Sequence, residues 1–414
     1  MHQIQGQRPA GTAAGLRAGL EAVMAEVGAL FQERDTEIQM IVTGLLAGQH
    51  TLLLGPPGTG KSAIVRELTG RLTDATYWEI LLHKFIAPSA IFGPVDLAAL
   101  TARGEHRQVL DGHATRAHVA FLDEIFKCSA AALNSMLAFL NERIYHPESG
   151  GAPIGCPLVS AVCASNELAE DETTAALYDR LLIRMEVDYL SEPDSFDALL
   201  RSAVTTGPPA ARTTVALADV QHAVAALVPA VALPGEVIVA VRDLRADLRG
   251  REITSSDRRW KQAVRLLQGA AWLAGRDQVA VDDLAVLAHV LWDSPAHRGT
   301  VDRVVRGYLS PDDRDLADLA DEVDRIAAEL DKLVAAGDDG KLMDWAVGQN
   351  TKLAGAAKRL FSIRDAAARA GRTLGPYQRA ADRAQHVYTR LLSEALGVDA
   401  DKIPSLEGRA GGRR

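Results

Sequence analysis

The stretch GPPGTGKS, Gly55-Pro56-Pro57-Gly58-Thr59-Gly60-Lys61-Ser62, follows the apolar run Thr51-Leu52-Leu53-Leu54 and constrains this chain more than any other segment. The pattern G-x-x-x-x-G-K-[ST] between a short buried strand and a helix is a phosphate-binding loop. Its glycines let backbone N–H groups close around phosphate oxygens, and a helix starting near Lys61 points its positive end at them. Lys61 would reach the β- and γ-phosphates, and the Ser62 hydroxyl would ligate Mg²⁺.

Such a loop needs a parallel sheet around it, and the sequence offers one. Apolar runs recur at 117–124 (AHVAFLDE), 157–166 (PLVSAVCASN) and 182–190 (LIRMEVDYL). Helical patterns lie between them, as where Leu133, Met136, Leu137 and Leu140 share one face. Strands alternating with helices predict an α/β fold, an αβα nucleotide-binding domain over 16–200 behind a disordered segment 1–15.

Residues 201–214 (RSAVTTGPPAARTT) read as a linker. Helical stretches at 217–230, 235–250, 257–274 and 281–292 predict an all-helical lid domain over 212–300. Beyond it, Leu316, Leu319, Val323, Ile326, Leu330 and Leu333 form an a/d seam. The break at 335–341 (AAGDDGK) predicts a C-terminal helical hairpin over 301–400, and 401–414 reads as a flexible tail.

Asp123 and Glu124 follow Val119-Ala120-Phe121-Leu122, so both carboxylates stand at a strand's C-terminal end, where open α/β sheets bind ligands. The first can hold the Mg²⁺ shell and the second can polarise an attacking water. Asn166 closes the next apolar run; its amide could meet the γ-phosphate or water, or simply serve a turn.

Composition narrows the partners. The net charge is −9, and no basic–aromatic stripe is visible, which argues against a dedicated nucleic-acid binder. Arg242, Arg245, Arg249 and Arg251 interleave with Asp243, Asp247 and Glu252, as on a solvated helix face. Cys128, Cys156 and Cys163 fit neither a zinc clip nor a disulfide framework. The polar N-terminus lacks a leader's apolar region, and the apolar run 223–234 is too short to span a bilayer. The expectation is a cytoplasmic chain without direct membrane insertion.

With these residues in hand, the chain resembles AAA+ ATPases of the MoxR family, and their RavA branch most closely. The resemblance covers about 16–300 and rests on GPPGTGKS, FIAPSAIFGPVD (85–96), VAFLDEIFKCSAAALNSMLAFLNER (119–143), ASNEL (164–168), LYDRLLIRM (177–185) and SDRRWKQAVRLLQ (256–268). It implies that Asp123 and Glu124 are the Walker B acids, Asn166 is sensor 1, Arg180 the arginine finger and Arg258 sensor 2. Arg184 is the second candidate for the finger and Arg259 for sensor 2. It further implies that 97–113 is the helix-2 insert and 141–159 the pre-sensor-1 hairpin. The former reads as a hairpin turning near Arg103-Gly104, the latter as one turning at SGG.

The reading is therefore an ATP- and Mg²⁺-dependent homo-hexameric ring ATPase, with nucleotide held between the αβα domain and the lid. It would remodel or mature an unidentified protein client with a von Willebrand A domain co-protein, as the resemblance implies. A DNA-dependent translocase and a non-hydrolysing nucleotide switch are the alternatives. RavA-type chains carry a β-rich module among their C-terminal helices, and no strand-like run is visible here between 305 and 395.

Overall fold

The computed structural model describes residues 11–147, 150, 152–168, 176–204, 212–337, 339–369, 375–399 and 402–407. Two compact units divide the chain, one ending at Val301 and the other starting at Asp302.

The first unit opens with helices α1 (Ala13–Leu30) and α2 (Asp35–Ala47). Thr12 caps α1, its Oγ1 accepting from Gly15 N at 3.1 Å. Helix thus begins inside the segment expected to be disordered, whose residues 1–10 lie outside the described ones. Strand β1 (Thr51–Leu54) is buried along its whole length, because it is flanked on both sides in the sheet. Helix α3 (Lys61–Thr69) follows it through the glycine-rich turn.

Four further strands complete the parallel sheet: β2 (Tyr77–Leu81), β3 (Val119–Asp123), β4 (Ser160–Ser165) and β5 (Ile183–Glu186). Their order is β2-β3-β4-β1-β5. Thr51 pairs with Val162 on one side and Ile183 on the other, and Leu54 pairs with Ser165 and Glu186. The C-terminal ends of β1, β3, β4 and β5 therefore share one edge. β2 is a strand the apolar runs did not announce.

The two inserts differ from each other. Residues 97–113 are not a strand hairpin: Leu97–Arg103 is a helix, α4, capped by Asp96 and closed by Gly104 at φ 68°. The chain then returns extended, with Val95 bridging Gln108. After helix α5 (Ala130–Glu142), Ile144–Tyr145 pairs antiparallel with Ile154–Gly155, so the second insert is a hairpin. Part of its SGG turn lies outside the described residues.

Helix α6 (Pro193–Val204) takes up the start of the expected linker, and 205–211 fall outside the described residues. The lid follows. It contains a short helix at Leu217–His222, α7 (Gly235–Arg249), α8 (Asp257–Leu273), a 3₁₀ segment Val281–His289 and α9 (Pro295–Arg306).

The second unit is helical, as expected, and no strand occurs among its described residues. The seam lies on α10 (Pro311–Ala336), where Val323, Ile326 and Leu330 are buried. The returning arm is two helices rather than one, α11 (Asp339–Arg369) and α12 (Gly375–Arg390). All three helices contribute to one core, with Leu353, Leu360, Phe361, Val387 and Leu391 closing over the seam. Two helices alone would leave one side of that stripe wet. Residues 370–374, between the two returning helices, lie outside the described set, as do 400, 401 and 408–414 of the expected tail region.

Candidate nucleotide site

The loop after β1 is built by its neighbours. A side chain at Gly55 would put its Cβ 1.9 Å from the carbonyl oxygen of Val187, so only glycine passes under the end of β5. Gly58 and Gly60 hold φ of 83° and 84°, the left-handed region that glycine adopts without penalty. Gly60 ends the loop and Lys61 starts α3, which aims the helix's N-terminal N–H groups into the loop. Lys61 Nζ donates to Gly55 O at 2.8 Å and Pro56 O at 2.7 Å, so its ammonium lies within the loop's own curve. Thr59 Oγ1 donates to Pro56 O at 3.1 Å.

Burial holds the Lys61 ammonium below the usual lysine range; Asp123 and Glu124 oppose that shift, and Arg34 adds to it. The carboxylates at the end of β3 thus act electrostatically on the lysine two strands away. Asp123 Oδ1 accepts from Glu124 N at 3.0 Å. Glu124 itself stands at φ 54°, ψ 46°, a left-handed conformation in a non-glycine residue. Such strain is stored where a side chain must be aimed. Asn166 is exposed at the end of β4, the strand between β3 and β1. Ser62, in the first turn of α3, and Asp123 offer a hydroxyl and a carboxylate, the hard oxygen donors that suit Mg²⁺. The residues fit the ion that the loop implies.

Several residues around the loop carried no sequence signal. Glu33, in the α1–α2 turn, accepts from Ser191 N, Ser191 Oγ and Glu192 N, each at 2.9 Å. Arg34 is buried and donates to Asp188 O. Tyr189 Oη donates to Pro57 O at 3.3 Å, and Phe31 is the nearest side chain to Gly60. Two aromatic rings therefore flank the loop.

The arginines separate into two classes. Arg184 is wholly buried, with its guanidinium 3.7 Å from the Tyr178 ring centroid, donating to Trp292 O, to Tyr178 O at 3.0 Å and to Asp293 at 2.6 Å. Arg259 is 2% exposed and binds Val290 O at 2.9 Å and Asp179 at 3.3 Å. Both join lid to sheet, and neither guanidinium is open to a ligand.

Arg258, in contrast, is 50% exposed and lies 4.0 Å from Asp179. Arg180 is its neighbour: burial lowers the Arg180 pKa, the Arg258 charge lowers it further, and Asp179 and Glu142 oppose. Arg180 precedes β5, at the end of the sheet opposite Gly55 and Lys61, and Arg258 meets it there from α8. The length of β1 separates them from their own loop, about 13 Å at 3.3 Å per residue. Arg258 is thus set beside Arg180, not over the nucleotide loop between sheet and lid.

A separate cavity of about 470 Å³ lies between the two inserts, lined by Asp96, Arg107, Gln108, Arg116, Ala152 and Ile154. It is away from the loop. The loop, and not this cavity, has the backbone N–H groups and the helix N-terminus that recognise phosphate.

Comparison with known proteins bears on the family and the fold. Residues 18–224 match the family model described as the MoxR domain in the MoxR-vWA-beta-propeller ternary systems, and 236–305 match an AAA lid domain. Two uncharacterised proteins of Methanocaldococcus jannaschii are 31% and 32% identical, over 75% and 67% of this chain and 80% and 72% of their own lengths. The chaperone MoxR1 of Mycobacterium tuberculosis is 27% identical over 51% of this chain and 56% of its own. A crystal structure of a putative ATPase from Cytophaga hutchinsonii superposes with a TM-score of 0.58 at 17% identity, covering 72% of this chain and 96% of that one. That likeness shows the fold.

Proposed function

The chain belongs to the MoxR family of AAA+ ATPases, and on that premise we propose that it hydrolyses ATP as a ring and spends the energy on remodelling or maturing protein partners. The observation that carries this reading is the split of the site. Lys61, Asp123 and Glu124 gather at the C-terminal edge of the sheet, and Arg180 and Arg258 gather at the other.

Each group has a task in that reading. The loop 55–62 binds the phosphates of ATP, and Ser62 and Asp123 hold Mg²⁺, which neutralises phosphate charge when bound. Glu124 orients and deprotonates the attacking water, and Asn166 hydrogen-bonds that water or the γ-phosphate. Phe31 and Tyr189 supply aromatic surface near the loop for the base. Arg180, with Arg258, completes the site of the adjacent subunit and stabilises the charge that develops on the transferred phosphoryl group. A homo-hexamer is the proposed ring.

The proposed partners are a von Willebrand A domain protein, as in the systems for which the matched MoxR domain is described, and a protein client. The RavA branch remains the proposed finer placement. No helix among the described residues is long and apolar enough to cross a membrane, which supports the cytoplasm as the proposed location.

Phosphate release and nucleotide binding test the core of the proposal together. Lys61→Ala is expected to lose ATP binding. Glu124→Gln is expected to keep it while kcat falls by about 10²-fold or more. Equal loss of affinity in both variants would refute the division of roles.

A further inference from the structure

The turn that follows β3 carries a cation that the reading above does not use. Lys127 ends the single 3₁₀ turn Ile125–Lys127 that follows Glu124, and its N–H donates to Glu124 O at 2.9 Å. That turn folds the lysine back over the acid. Its Nζ lies 3.2 Å from Glu124 Oε2 and 3.7 Å from Glu167 Oε1.

The two carboxylates differ in what else holds them. Glu124 Oε2 is buried and has no hydrogen bond of proper geometry, so the ion pair with Lys127 is the contact that compensates it. Glu167 follows Asn166 and is set by a tight ring at the end of β4. There Glu167 N donates to Ser165 Oγ at 3.1 Å, and Ser165 Oγ donates to Glu167 O at 2.7 Å. One ammonium therefore lies between the carboxylate assigned to the water and the strand end assigned to the γ-phosphate. An ammonium held on Oε2 fixes the rotamer of the whole carboxylate, so its second oxygen cannot turn freely to meet a water.

We propose that Lys127 is a positioning residue that restrains Glu124, and that Glu167 competes for the same ammonium and so releases the acid for catalysis. Lys127 acts through Glu124: it sets how often that carboxylate faces phosphate and water. The proposal rests on the assignment of Glu124 to the attacking water. It makes the end of β4 a control on the end of β3 through one shared charge.

Steady-state ATP hydrolysis by the full chain, with ATP binding followed separately, tests it. Lys127→Met is expected to raise kcat about three- to tenfold with KM for ATP within about twofold, because the restraint acts on the chemical step. Glu167→Gln, which leaves the ammonium to Glu124 alone, is expected to lower kcat by a similar factor. In the Lys127→Met background, Glu167→Gln is expected to have no further effect. Lys127→Arg keeps a cation in place and is expected to return kcat towards the wild-type value.

A kcat for Lys127→Met at or below wild type, or a Glu167→Gln effect that persists without Lys127, would overturn the restraint. Either single variant is decisive by itself should the other fail to fold: an unaccelerated Lys127→Met, or a Glu167→Gln no slower than wild type, overturns the restraint. Glu124→Gln separates the two levels: turnover surviving in that variant overturns the assignment of Glu124 itself. A dead Glu124→Gln beside an unaccelerated Lys127→Met overturns the bridge alone.

Discussion

Arg184, on the edge strand of the sheet, places its guanidinium 2.6 Å from the carboxylate of Asp293 in the lid segment. Arg259 approaches that carboxylate from the lid side, at 3.4 Å. One acid thus fastens an arginine from each side of the junction. The buried cation of Arg184 also lies over Tyr178 and bonds to two main-chain carbonyls. Removing one member of a buried network leaves the others uncompensated, at a cost of about 3 kcal/mol. Arg184→Met is therefore expected to destabilise the first unit by about that free energy, seen as a lower urea midpoint at unchanged m. If it instead abolishes hydrolysis with the midpoint unchanged, Arg184 acts on nucleotide and the structural assignment is wrong.

The placement of Arg180 and Arg258 on one edge makes a mixing experiment discriminating. Each alanine variant is expected to bind ATP and to lose about 10³-fold in kcat, the scale of a transition-state arginine. Rings mixed from Arg180→Ala and Lys61→Ala subunits regain activity, because one kind of interface has both halves intact. Rings mixed from Arg180→Ala and Arg258→Ala do not, because no subunit then offers a complete arginine edge. Recovery in the second mixture would place Arg258 over its own subunit's loop.

Legibility in the sequence followed burial. β1, β3 and β4 lie inside the sheet and read as uninterrupted apolar runs such as TLLL and VAFL. β2 is the edge strand at the other side of the sheet from β5, with Glu79 and Leu81 exposed and Arg66 paired to Glu79, so its apolar pattern is broken. The placement of the loop after β1 and of Asp123-Glu124 at the end of β3 was legible because each is set by its own short segment. Arg34 and Tyr189 were not, since each reaches its partner across more than a hundred residues of chain. Gly104 misled in an instructive way. A left-handed glycine can close a strand hairpin or a helix, and the decisive signal was Asp96, whose Oδ1 accepts from Ala99 N at 3.0 Å.

Acid stability should report on His50, which lies buried at the N-terminal end of β1. Its Nδ1 accepts from Ala161 N at 2.9 Å, and its Nε2 faces Leu140 O at 2.7 Å and Arg143 Nη1 at 2.8 Å. Burial, then the Arg143 guanidinium, lowers its pKa from 6.5 to about 3. The unfolded chain takes up this proton first, so stability is complete above about 6.5 and is lost as the pH falls towards 3. The slope from this one group approaches about 1.4 kcal/mol per pH unit. Urea unfolding between pH 7 and 5 is expected to show a slope shallower by that amount in His50→Asn, whatever the variant's stability at pH 8. An unchanged slope would mean that the ring accepts a proton in the fold.

The last prediction concerns the helical unit after the lid. Its three helices share their own core, from Val323 and Leu330 on α10 to Val387 on α12 and Leu391 just past its end. Interhelical ion pairs reinforce it, with Arg359 held by Asp312 and Asp315, and Arg390 by Asp331. The unit's apolar stripe is thus covered from within by its own three helices. Residues named for the nucleotide and for the arginine edge all precede Val301. Deletion of 310–414, cut beyond the end of α9, should therefore leave basal kcat within about threefold, a change of about 0.65 kcal/mol in barrier. The same deletion is expected to abolish association with a von Willebrand A partner, measured by co-purification from cells that express both chains. A truncated chain that binds ATP but no longer hydrolyses it would show that the helical unit takes part in assembling the ring. Retained association would move the docking surface onto the AAA+ unit, where the cavity between the two inserts would be the next place to look.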